Sequence, residues 1–92
     1  MSVQKRLNLV ITGKVQGVGY RYSLKHKADS LGIRGYVKNQ HDGSVFVTAQ
    51  GEPTAVEFFL KWCYKGPPTA IVRSIEKEWL TIDDLHDFSI LF

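Results

Sequence analysis

A chain of 92 residues that is 43% apolar and 23% charged has the make-up of one globular domain with a single core, not of a disordered tail. It has no apolar run near the roughly 20 residues of a membrane span, which excludes a transmembrane helix. The one cysteine, Cys63, excludes an intrachain disulfide and a cysteine-rich metal site, and the net charge of +3 favours small anionic ligands while permitting nucleic acid.

The start, Met1-Ser2-Val3-Gln4-Lys5-Arg6, runs into a strand pattern without the apolar stretch of a signal peptide. A cytoplasmic protein made of one domain, 1–92, is therefore expected. Leu7, Leu9 and Ile11 share one face of a first strand. Next comes Gly13-Lys14-Val15-Gln16-Gly17-Val18-Gly19-Tyr20-Arg21, with three glycines within seven residues. Tyr20, Leu24, Ala28 and Leu31 then follow at helical spacing, so the segment reads as strand, glycine loop and helix start.

Such a junction presents unpaired backbone N–H groups and the positive end of a helix dipole. Glycines let that backbone approach a phosphate closely, and Arg21 adds a planar fork for two phosphate oxygens. The loop matches neither G-x-G-x-x-G nor G-x-x-x-x-G-K-[ST]. The residues by themselves thus leave two readings open, a phosphate loop or a tight glycine turn beside a solvated arginine.

The first helix stops at Leu31-Gly32. A second strand is predicted over 33–39, and Asp42-Gly43 marks a hairpin turn. Val45, Val47 and Ala49 alternate along a third strand that ends at Gln50-Gly51. A second helix begins near Pro53-Thr54, where Thr54 and Glu57 have the spacing of a capping box. Val56, Phe59, Leu60 and Cys63 form its buried stripe, widened by Phe58 and Trp62, and Gly66-Pro67-Pro68 stops it. Cys63 on that inner face reads as an inert buried thiol. The segment 70–80 reads as a fourth strand, although Ile71, Ile75 and Trp79 also fit a helix. A turn region spans 81–87, and Phe88, Ile90 and Phe92 alternate as a short last strand.

The order β-α-β-β-α-β predicts an α+β, ferredoxin-like sandwich. Its sheet is mostly antiparallel, both helices cover one face, and a short extra C-terminal strand is added. The first helix is a crossover, so strands one and two run parallel and end at the same edge. Asn39, at the end of strand two, can then face an anion held by the glycine loop. The other reading of Asn39 is a turn former opening the hairpin. His26, His41 and His86 are scattered, without metal-ligand spacing.

The wording of the motifs is specific. Gly13-x-Val15-Gln16-Gly17-Val18-x-Tyr20-Arg21 resembles the signature of the acylphosphatase family. The resemblance continues through Leu31-Gly32-Ile33-x-Gly35-Tyr36-Val37-x-Asn39, Asp42-Gly43-x-Val45 and Gly66-Pro67-Pro68-x-Ala70-x-Val72. Tyr20 and Tyr36 are departures that keep an aromatic ring. The resemblance implies hydrolysis of the carboxyl–phosphate bond of a small acyl phosphate, without metal or other cofactor. It makes Arg21 and Asn39 catalytic, with Val15, Gln16, Gly17, Val18, Gly19 and Tyr20 binding the phosphate. The expected partner is that small molecule alone, with no nucleic acid and no membrane, acting on a monomer. The alternative is a non-catalytic anion- or RNA-binding ferredoxin-like module. Against it, strand one carries no aromatic and no [KR]-G-[FY]-[GA]-F block is present.

Overall fold

The computed structural model describes residues 3–92; Met1 and Ser2, part of the start read above, lie outside the described residues. Seven elements follow in order: β1 (Lys5–Lys14), α1 (Tyr20–Ser30), β2 (Arg34–Asn39), β3 (Val45–Gly51), α2 (Pro53–Lys65), β4 (Ile71–Leu80) and β5 (Phe88–Leu91). The strands form one five-stranded sheet in the order β4-β1-β3-β2-β5. β1 is antiparallel to both β3 and β4, and β2 is antiparallel to β3. Two antiparallel steps make β1 and β2 parallel, as predicted, with β3 between them.

The odd positions of β1 point into the core. Leu7, Leu9 and Ile11 are fully buried with Val45, Val47 and Ala49 of β3 and Val37 of β2. Leu24 and Ala28 of α1 and Val56, Phe59, Leu60 and Cys63 of α2 complete the same cluster. Each buried Val, Leu, Ile or Phe side chain among them contributes on the order of 1.5–3 kcal/mol by leaving water. The predicted stripe of α2 is therefore the buried one. Phe58 is a correction: it is 61% exposed, because one residue step turns it about 100° away from Phe59 and the core. The capping box is a second correction. The N-cap is Glu52, Pro53 opens the helix, and no side chain caps it, so Thr54 already sits inside the first turn.

β4 is a strand and not a helix, paired with β1 along nearly its whole length, with an irregularity between Thr12 and Gly13. The chain then crosses from one edge of the sheet to the other as a strap, 81–87. Gln50 pins it twice, donating from Nε2 to the Asp83 carbonyl (2.9 Å) and accepting the Asp83 N–H (2.8 Å) at Oε1. Arg6 adds an ion pair to Asp83 at 3.3 Å. The strap delivers β5 to the outer side of β2, where it runs parallel. β1, β2 and β5 thus all run towards the same edge of the sheet. No helix among the described residues is long and apolar enough to cross a membrane.

Candidate active site

β1 reaches Lys14, and α1 does not start until Tyr20. Between them the chain turns over Val15-Gln16-Gly17-Val18-Gly19. Val15 and Tyr20 are each only 1% exposed, and they anchor the two ends of the loop in the core. The Tyr20 ring packs against Trp62 with centroids 6.1 Å apart, and its hydroxyl donates to the Cys63 carbonyl at 2.7 Å. Burial pushes the Tyr20 phenol far above its ordinary range. It also raises the Cys63 thiol. Both groups stay neutral and structural, and Cys63 is no nucleophile.

The exposed middle of the loop depends on glycine. Gly17 and Gly19 have φ of +73° and +77°, the left-handed region that costs other residues about 1–2 kcal/mol. A Cβ at either would meet nothing within 4 Å, so the space over them is open. Among the described residues, the backbone N–H groups of residues 15–20 make no turn or cap hydrogen bond. Gly19 is the N-cap of α1, with no side-chain cap and no acidic residue in the first turn. A run of unspent N–H donors at an uncapped helix N-terminus is an anion-binding arrangement.

Two side chains hold this loop in shape. Gln16 donates both amide hydrogens across the sheet edge, to the carbonyls of Gln40 and Ser44, each at 2.8 Å. Thr69, just before β4, donates its hydroxyl to the Val18 carbonyl at 2.6 Å. Gln16 therefore ties the glycine loop to the turn that begins beside Asn39, and the two predicted halves of the site meet through it. The side-chain role of Gln16 was not legible in the sequence, since its partners lie 24 and 28 residues away. Thr69 stood unassigned inside the Gly66-Pro67-Pro68-x-Ala70 block.

Asn39 ends β2, opposite Val45, and is exposed. The turn after it is closed without its side chain. The Gln40 N–H donates to the Ser44 carbonyl at 2.9 Å, and Asp42 Oδ1 accepts the Ser44 N–H at 3.0 Å. The Ser44 hydroxyl also donates to Asp42, and these bonds hold the Asp42 carboxyl below its usual range. Among the described residues the Asn39 carboxamide makes no hydrogen bond, so both of its ends are free to engage a ligand or water.

Arg21 is half-buried in the first turn of α1. Among the described residues it makes no ion pair. Its guanidinium lies over the ring of Phe92, 5.2 Å from the centroid. Alternation in the sequence makes Phe92 the last position of the final strand, but the strand ends at Leu91.

The three histidines are exposed, and His86 pairs with Asp84 at 3.2 Å. No group of three or more His, Cys, Asp or Glu among the described residues is placed to hold a metal. The sheet face opposite the helices does carry two aromatics, Tyr36 and Phe46, with centroids 6.1 Å apart. Glu76 and Glu78 on β4 lie opposite Val10 and Asn8 on that same face, so carboxylates stand on it together with Lys38, which lies over Phe46.

Element order and sheet topology define a ferredoxin-like sandwich, whose β1–α1 loop leaves its backbone N–H groups without turn or cap partners among the described residues. The acylphosphatase family model matches residues 7–90. An acylphosphatase of Thermotoga maritima is 44% identical over 88 residues, which cover 96% of this chain and 98% of that protein. The crystal structure of acylphosphatase from Bacillus subtilis superposes with a TM-score of 0.93 at 32% identity, covering 96% of this chain and 99% of that one. An acylphosphatase structure from Coxiella burnetii gives 0.92 at 34% identity, covering 96% and 93%. The chain belongs to the acylphosphatase family.

Proposed function

We propose that this enzyme hydrolyses small acyl phosphates through the loop of residues 15–20, Arg21 and Asn39. The observation that carries the assignment of these residues is the run of unspent loop N–H groups, tied by Gln16 to the strand end that bears Asn39. In this reading the N–H groups of Val15, Gln16, Gly17, Val18, Gly19 and Tyr20 hold the phosphoryl oxygens. Arg21 offsets their charge as it redistributes in the transition state. Asn39 orients the attacking water through its free carboxamide.

The bonds balance without a protein base. The water oxygen bonds to phosphorus and the P–O bond to the acyl group breaks. The carboxylate leaves with the electron pair, and the proton of the water passes to a phosphoryl oxygen. The acyl phosphate already has a good leaving group, so positioning and charge stabilisation supply most of what is needed. The neutral Tyr20 and Cys63 are not called on, and the exposed histidines are not needed.

This reading includes a single domain acting as a monomer, without nucleic acid or membrane. A lone, buried, unpaired cysteine suits a reducing, cytoplasmic setting.

The test is direct. Hydrolysis of a small acyl phosphate is expected to persist in EDTA and to be inhibited competitively by inorganic phosphate, which fills the same loop. Activity lost in EDTA and restored by Mg²⁺ or Zn²⁺ would contradict the reading. So would inhibition by phosphate that substrate cannot overcome.

A further inference from the structure

We propose that Phe92 is a positioning residue that holds the Arg21 guanidinium ready for phosphate. The proposal rests on Arg21 being the phosphate fork, and it addresses what keeps that fork in place before substrate arrives.

An arginine side chain is long, and holding it in one geometry costs rotamer freedom. No carboxylate among the described residues pairs with Arg21 to do so. The contact that is present is with Phe92, whose ring centroid is 5.2 Å from the guanidinium carbon. A ring attracts a guanidinium through its quadrupole and not through a hydrogen-bond acceptor. The five N–H donors lie in the guanidinium plane and are left for the ligand. A carboxylate partner would instead occupy the same donors that a phosphate needs.

The sheet register places Phe92 at the site by an independent route. β5 runs parallel to β2, with Gly35 opposite Phe88 and Lys38 opposite Leu91. The pairing ends there, so Phe92 follows directly after the last paired residue of β5, at the end of the sheet where β2 also stops at Asn39. Phe92 thus lies at the edge of the sheet towards which β1 and β2 run, where it meets Arg21. Its side chain is not recruited for the core, since it is 94% exposed while Phe88 on the same segment is 3% exposed. A phenyl ring left in water next to an otherwise unheld arginine is explained by a role towards that arginine.

The test uses the inhibition constant of inorganic phosphate and steady-state kinetics with one acyl phosphate. Phe92→Ala is expected to weaken phosphate binding about three- to fivefold, the scale of an exposed cation–π contact, and to lower kcat/KM at least as much. Phe92→Trp is expected to keep wild-type values, whereas Phe92→Leu, with bulk but no quadrupole, should behave like Ala. Melting temperatures should not move, because the ring is outside the core. In an Arg21→Ala background, Phe92→Ala should have no further effect. Unchanged or tighter phosphate binding in Phe92→Ala would overturn the proposal, tighter binding meaning that the ring blocks the fork. Full phosphate affinity in Arg21→Ala alone would instead overturn the reading of Arg21 on which the proposal stands.

Discussion

Arg21→Ala is expected to weaken phosphate binding and turnover together by a large factor while the melting temperature stays near that of the wild type. Arg21 is half-buried at the start of α1, outside the apolar cluster that carries the fold. It has no ion-pair partner among the described residues whose loss would unsettle the structure. A charge-assisted, two-pronged contact to phosphate is worth roughly 2–5 kcal/mol, or a loss of about 30- to several-thousand-fold in kcat/KM. Arg21→Lys should recover little of it, because a point charge on a flexible stem does not replace a planar fork. Steady-state kinetics and phosphate inhibition measure this. A lysine variant with near wild-type constants would contradict the fork.

Asn39→Ala is expected to lower kcat and kcat/KM together by about 10²-fold, the scale of lost positioning, with phosphate affinity nearly unchanged. A group that orients water matters once attack begins, so its loss appears in the transition state and not in ground-state binding. Asn39→Asp should also fail, because a carboxylate repels the phosphoryl oxygens and offers no N–H. The competing role, shaping the turn, predicts a different pattern: normal kcat with about 1 kcal/mol less stability. The turn is already closed by Gln40, Asp42 and Ser44, which favours the catalytic role. A normal kcat with a lowered melting temperature would make Asn39 a turn residue.

Local periodicity made most of the fold legible. The stripe Val56, Phe59, Leu60 and Cys63 is buried as its spacing requires. The glycine loop announced itself because φ near +75° at Gly17 and Gly19 demands that residue type. Topology alone brought Asn39 to the edge where the loop lies, since a crossover helix forces β1 and β2 parallel. The strand predicted over 70–80 is present, and its pairing with β1 is what decides against the helix that Ile71, Ile75 and Trp79 would also fit. What stayed hidden was set by long-range pairing. The capping box failed because Pro53, with its fixed φ, opens the helix one residue before Thr54. Gln16 reads as one more loop residue, and only the register of β2 on β3 brings the Gln40 and Ser44 carbonyls under its amide. Phe92 likewise gains meaning only when the strap carries β5 across the sheet to lie beside β2.

Hydrolysis of an acyl phosphate in ¹⁸O-water tests the central claim, that a water positioned at this loop attacks phosphorus. The label is expected in inorganic phosphate, with an unlabelled carboxylate, at a rate far above the uncatalysed reaction and nearly lost in Asn39→Ala. Label in the carboxylate would mean attack at the acyl carbon and would contradict the account, as would turnover no faster than in buffer.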